Sequence, residues 1–119
     1  PADMDGRPLL PLAKGTDTGW REYIDLEHAT CYSRDNYWCA LTDGKIKYVW
    51  RFYTGQEELF DLVADPQELH NDKEYKGRLE KLRARMIRHL GERGEEFVKD
   101  GRLVVRKKKM LYSPHYPKE

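Results

Sequence analysis

Between Tyr37 and Leu62 the apolar positions alternate with polar ones in three successive runs separated by turn residues. From Lys45 to Phe52, Ile46, Tyr48, Trp50 and Phe52 share one face, while Lys45, Lys47, Val49 and Arg51 take the other. A period of two is the mark of a strand with one wet face. Tyr37–Leu41 precedes it, and Thr42-Asp43-Gly44-Lys45 carries an Asp-Gly dipeptide, which favours a tight type I′ turn. Tyr53-Thr54-Gly55-Gln56 forms a second turn, and Glu58–Leu62 returns as a further strand. Upstream, Trp20 to His28 alternates too, with Ile24, Leu26 and His28 on one face and Tyr23, Asp25 and Glu27 on the other. The pattern predicts strands over 20–28, 37–42, 45–52 and 58–62, paired as an antiparallel sheet.

The period then changes. After the Asp65-Pro66 turn, Tyr75, Leu79, Leu82, Met86 and Leu90 recur at steps of four and three, the apolar stripe of a helix over about 72–91. Asn71 is placed to cap it, with Glu74 three residues on completing a capping-box pattern. Arg83, Arg85, Arg88 and His89 crowd its second half, where they suit the negative end of the helix dipole, and Gly91 and Gly94 supply the stop. The stripe is expected to cover the Ile46/Tyr48/Trp50/Phe52 face, with the basic residues left as a solvated surface. The fold class is therefore α+β, a four-stranded antiparallel sheet packed against one C-terminal helix. Residues 1–18 read as an extended connector: Pro8 and Pro11 interrupt a helix around Leu9, Leu10 and Leu12, whose side chains need a neighbouring surface. Leu103-Val104-Val105 reads as a short edge strand or peripheral arm, and residues 106–119 as a basic tail.

Composition narrows the function classes. The 119 residues fit one domain or part of a larger one, and starting at Pro1 the chain reads as a piece of a longer protein. A net charge of +1 gives no bulk attraction for nucleic acid, and Arg106-Lys107-Lys108-Lys109 reads as an exposed charged terminus. No apolar run approaches the ~20 residues of a membrane span. Cys31 and Cys39, even with His28 nearby, lack the fourth ligand of a zinc site, and buried free thiols or a local disulfide are the two readings left. Asp25, His28 and Cys31 lie close in sequence, but strand alternation sends Asp25 and His28 to opposite faces. No glycine-rich phosphate cradle and no dense carboxylate cluster appears. The residues by themselves give no complete active site.

The order of motifs, however, resembles a known family. DGRPLLPLAKG, WREYIDLEHATCYS, LTDGKIKYVW and TGQEELFDLVADPQELHN, followed by a basic helix, are similar to the C-terminal part of the type I sulfatases of the alkaline-phosphatase-like superfamily. The resemblance runs from residue 5 to about 105 and is most specific from Leu41 to Asn71. It implies a small subdomain over 19–105, a four-stranded sheet and helix packed on a large α/β catalytic domain. It also implies that the chemistry lies elsewhere. Sulfatases hydrolyse sulfate esters with a formylglycine, made from the Cys or Ser of a C/S-x-P/A-x-R motif, and hold a calcium ion in the large domain. Cys31-Tyr32-Ser33-Arg34 does not fit, since Ser33 stands at the Pro/Ala position and Arg34 comes one residue too early. No cofactor is expected in this chain and no catalytic residue carries over, so the chain alone is expected to be inactive.

What the resemblance leaves to this piece is the substrate pocket, which the first strand and the loop after it approach. His28, with Glu27 beside it, is the candidate contact to the leaving group, and Arg34 a candidate anion contact. The bland alternatives are an interface hydrogen bond for His28 and an exposed loop arginine for Arg34. The expected partners are the catalytic domain of the same protein and a sulfated small molecule or glycan, with no nucleic acid and no membrane; an exposed docking face would also favour self-association. The resemblance implies a periplasmic, secreted or lysosomal setting. Two other classes compete: a carbohydrate-binding module using Trp38 and Tyr53 in an open groove, and a purely structural stabiliser. The first requires an accessible tryptophan, docking an exposed apolar patch.

Overall fold

The computed structural model describes residues 6–16, 19–29, 36–72 and 76–107. In chain order its elements are α1 (Leu10–Ala13), β1 (Ile24–His28), β2 (Trp38–Thr42), β3 (Ile46–Arg51), β4 (Glu57–Asp61), α2 (Lys76–Gly91), β5 (Val98–Lys99) and β6 (Arg102–Leu103). Strands β1 to β4 form one antiparallel sheet in sequence order, the meander the alternation predicts, and β5–β6 form a separate small hairpin.

The core lies between α2 and one face of the sheet. Leu82, Met86 and Leu90 from the helical stripe are buried against Cys39, Leu41, Tyr48, Trp50 and Leu59. Leu79 and Ile46 are partly buried at its edge, and Tyr75 lies outside the described residues. Phe52 stands just beyond β3, yet it is fully buried. Its ring stacks on Tyr37 at 4.2 Å and meets the edge of Phe97 at 5.5 Å. Backbone bonds from Phe52 N to Tyr37 O (3.0 Å) and from Arg106 N to Phe52 O (2.7 Å) fasten it on both sides.

Several local features differ from the sequence expectation, each for a physical reason. The Asp43-Gly44 connection is not a type I′ turn, which needs positive φ at both central residues. Gly44 has φ +84°, but Asp43 is not in that region. Its carboxylate instead accepts the N–H groups of Lys45 (2.9 Å) and Ile46 (2.8 Å), an Asx-type turn. A type I′ pattern occurs at the second Asp-Gly, where Asp100 (φ +50°) and Gly101 (φ +70°) join β5 to β6. The Leu103 region is thus half of this hairpin and no part of the main sheet. Residues 10–13 make one helical turn despite Pro11, because a proline in the first turn gives up an N–H that has no intrahelical partner anyway.

Residues 73–75, where a cap of α2 would act, lie outside the described residues, and Asn71 itself engages the edge of β4. Its Oδ1 accepts the Leu59 N–H at 3.0 Å, its Nδ2 donates to Glu57 O at 3.5 Å, and Asp72 N donates to Leu59 O at 2.8 Å. The segment therefore blunts the open edge of β4 as a surrogate strand. Described helix begins at Lys76, and Glu74 lies outside the described residues.

The basic residues of α2 and the segment after it are not simply a solvated face. Arg83 grips Glu57 with two bonds of 2.6 Å, Arg85 donates to Glu22 at 2.9 Å, Arg78 lies 3.6 Å from Asp61, and Arg93 donates to Glu27 at 2.6 Å. These pairs tie the helix side to both edges of the sheet.

Gly55 closes the β3–β4 loop with φ +71°, and a Cβ there would fall 2.7 Å from Val105 Cγ2. Gly55→Ala is expected to cost about 1–2 kcal/mol from the left-handed backbone alone, with the collision adding to it. A denaturation midpoint equal to that of the unmodified chain would show that neither constraint operates.

Candidate functional site

Strand β1 sits at an edge of the sheet, and its alternation divides the predicted site. Asp25 and Glu27 face α2, whereas Ile24, Leu26 and His28 face the side with no helix. The structure therefore does not bring Glu27 and His28 together.

Glu27 is held in the protein's own framework. One carboxylate oxygen accepts from Arg93 at 2.6 Å and the other accepts the Tyr37 hydroxyl at 3.3 Å. Burial first, then the Glu27 charge, push the Tyr37 phenol up to about 12, so it is a donor throughout the neutral range.

His28 is exposed. Its ring lies nearly parallel to Trp38, its cross-strand partner, with centroids 5.7 Å apart and an interplanar angle of 15°. Nδ1 is 2.6 Å from the backbone oxygen of Asn36. A carbonyl oxygen only accepts, so Nδ1 carries the hydrogen and donates. Nε2 has no hydrogen-bond partner among the described residues. Arg34 lies outside them.

Around His28 the helix-free face has two halves. On the β3–β4 side, Arg51 pairs with Glu58 through bonds of 2.7 and 3.2 Å, and Lys47 pairs with Glu68. On the β1 side it is apolar: Ala40 and Val49 are buried in the middle, while Ile24 (47% exposed) and Leu26 (40%) stand open to solvent. The leucines of α1 are also open, Leu9 at 65% and Leu10 at 63%, with no buried residue in that turn.

The helix side carries a cleft that sequence reasoning missed. About 260 Å³ in volume, it is lined by Tyr23, Asp25, Leu41, Arg85, Arg88, His89 and Glu92. Arg85 lies 4.0 Å over the Tyr23 ring, and His89 Nε2 is 3.9 Å from Asp25 Oδ2. Arg85, Arg88, His89 and Glu92 recur at steps of three and four, the one signal that could have placed them on a common face. Two arginines and two carboxylates cancel in charge, so the cleft has no net pull on an ion.

Cys31 lies outside the described residues. Cys39 is a free, fully buried thiol, and burial first, then the charge of Glu27, push it up to about 12, where the thiolate is not populated. No group of three or more His, Cys, Asp or Glu side chains is arranged to hold a metal ion among the described residues.

No protein-family model matches the chain. Over 107 residues, 87% of its length, the chain is 33% identical to an arylsulfatase of Clostridium perfringens, of which it spans 22%. The chain is thus related in sequence to an arylsulfatase across most of its own length, and it corresponds to a minor part of that protein.

Proposed function

We propose that this chain is the C-terminal subdomain of a sulfatase that hydrolyses aryl or carbohydrate sulfate esters. It packs on the catalytic portion and helps to shape the substrate pocket. The hydrolysis, with its formylglycine and calcium ion, belongs to that other portion.

The observation that carries the docking is the character of the exposed apolar surface. Leu9, Leu10, Leu12, Ile24 and Leu26 are open to solvent, on α1 and on the outer face of β1. Aliphatic side chains grouped on one short helical turn and on one edge strand fit an interface better than a free surface. A sugar-gripping groove would need an open tryptophan, whereas Trp20 and Trp38 are half-buried and Trp50 is buried.

Leu26→Asn separates the readings. In the 119-residue chain Leu26 already meets water, so the change is expected to move stability by no more than about 0.5 kcal/mol. In the longer protein that carries this chain, the amide would be buried in an apolar contact at a cost of about 1–2 kcal/mol. Equal effects in the two proteins would sink the docking proposal. Release of sulfate from an aryl sulfate by the longer protein and none by the 119 residues is the matching activity result. Turnover by the short chain would overturn the division of labour.

A further inference from the structure

We propose that β1 is an acceptor edge, and that a strand from the catalytic portion of the longer protein pairs with it and extends the four-stranded sheet. This rests on the sulfatase reading above and gives the docking a form: backbone pairing along Asp25–Glu27, in addition to contact between side chains.

The phase of the sheet decides which backbone groups face outward. In an antiparallel ladder, successive residues of a strand turn their N–H and C=O alternately to one neighbour and to the other. Phe52 N–H donates to Tyr37 O (3.0 Å) and Asp43 N–H to Ile46 O (3.4 Å), so Tyr37, Cys39, Leu41 and Asp43 face β3. Trp38, Ala40 and Thr42 then face β1, where their partners are His28, Leu26 and Ile24. Asp25 and Glu27 are left with main-chain N–H and C=O directed away from the sheet, and these groups have no partner among the described residues. The opposite edge is treated differently. By the same alternation Glu57 and Leu59 face outward from β4, and there Asn71 and Asp72 take up the Glu57 carbonyl and both Leu59 groups. The fold closes one edge and leaves the other exposed at all five residues, in one-to-one register with β2 and without the bulge or proline that would blunt it.

Charge selects the occupant. Antiparallel pairing of two β1 strands about Asp25, Leu26 or Glu27 sets a carboxylate directly opposite a carboxylate, so the edge discriminates against a second copy of this chain. Arg93 already neutralises Glu27, whereas the Asp25 side chain is 46% exposed. The strand that fits carries a basic or neutral residue opposite Asp25 and apolar residues opposite Ile24 and Leu26 on the other face.

Residue-resolved amide hydrogen exchange of the 119-residue chain and of the longer protein tests this. In the short chain the Leu26 amide, bonded to β2, should be protected, while the Asp25 and Glu27 amides exchange near the rate of a free peptide. In the longer protein both should slow by about tenfold or more, the protection that a formed backbone bond confers. Asp25→Pro deletes one outward N–H and spares the ladder to β2, whereas Asp25→Ala removes the same carboxylate and keeps the N–H. In the longer protein Asp25→Pro should speed exchange at Glu27 severalfold, and Asp25→Ala should leave it slow. Amides of Asp25 and Glu27 that exchange equally fast in both proteins overturn this inference, and so does slow exchange that Asp25→Pro leaves unchanged, which marks burial without pairing. In either case the docking reading stands as long as Leu26→Asn costs more in the longer protein. Protection that appears in the short chain and grows with its concentration makes a second copy the occupant, and overturns the inference too. Equal effects of Leu26→Asn in the two proteins remove the docking reading and this inference with it.

Discussion

Phe52→Ala is expected to lower the free energy of unfolding by about 3–5 kcal/mol, a large share of the ~5–15 kcal/mol that holds a small domain. The ring is fully buried and joins three parts of the chain at once, stacking on Tyr37 and meeting Phe97 edge-on. Its backbone takes the Arg106 N–H and donates to Tyr37, so the chain cannot collapse freely into the space left behind. That restraint puts the cost toward the top of the range, since the penalty grows with the cavity that relaxation fails to fill. Denaturant titration measures it. Val63→Ala, at a residue 73% exposed, is the control and should stay within about 0.5 kcal/mol. A midpoint for Phe52→Ala as close to the parent as the control's would show that Phe52 is not a core residue.

Glu57→Ala is expected to cost about 2–3 kcal/mol, through loss of partners more than loss of volume. One oxygen of Glu57 accepts both the Tyr48 hydroxyl and Arg83 Nε at 2.6 Å, and the other accepts Arg83 Nη2 at 2.6 Å. Tyr48 is fully buried, so its hydroxyl would be left without an acceptor or water. Arg83 is half-buried and recovers hydration, which keeps the loss below that of a sealed ion pair.

The same carboxylate imposes a pH dependence with a definite sign. Burial works against its ionisation, but the hydrogen bonds from Arg83 and Tyr48 outweigh it and hold Glu57 below its usual value of 4.5. The unfolded chain therefore binds the proton more readily than the folded one. The stabilisation is fully present above the ordinary carboxylate range and is lost as pH falls through the lowered folded value. Asp43 adds to the same acid window: burial opposes its charge, and the N–H groups of Ile46 and Lys45 override it. Stability measured from neutral pH downward should decline less steeply in Glu57→Gln than in the unmodified chain. An unchanged acid slope would mean that the Glu57–Arg83 pair is not formed in solution.

The architecture was legible in the sequence because it rests on short-range periodicity. Alternation over Lys45–Phe52 and steps of three and four over Leu79–Leu90 place the two faces of the core without knowledge of any distant residue. Even Phe52, which lies outside β3, follows the strand's alternation into the core. The candidate site was legible in part: alternation alone puts His28 with Leu26 and apart from Asp25. It also puts Glu27 on the other side, although proximity in sequence joins the two as candidates.

The partners were decided by the tertiary structure. Two Asp-Gly dipeptides have the same local chemistry, yet Asp43 turns its carboxylate on its own backbone while Asp100 takes up positive φ in a two-residue turn. Asn71 has the sequence position of a helix cap, and the edge of β4 presents the Leu59 N–H to its side chain, a partner no local pattern names. The arginines of α2 are recognisable as a basic run, whereas their pairing with Glu57, Glu22 and Asp61 depends on which sheet edge each one reaches. The direction of the His28 hydrogen bond depends on a carbonyl eight residues away. Periodicity is a property of neighbours in the chain and can be read there. A hydrogen-bond partner is a property of neighbours in space, and only the closed sheet brings those together.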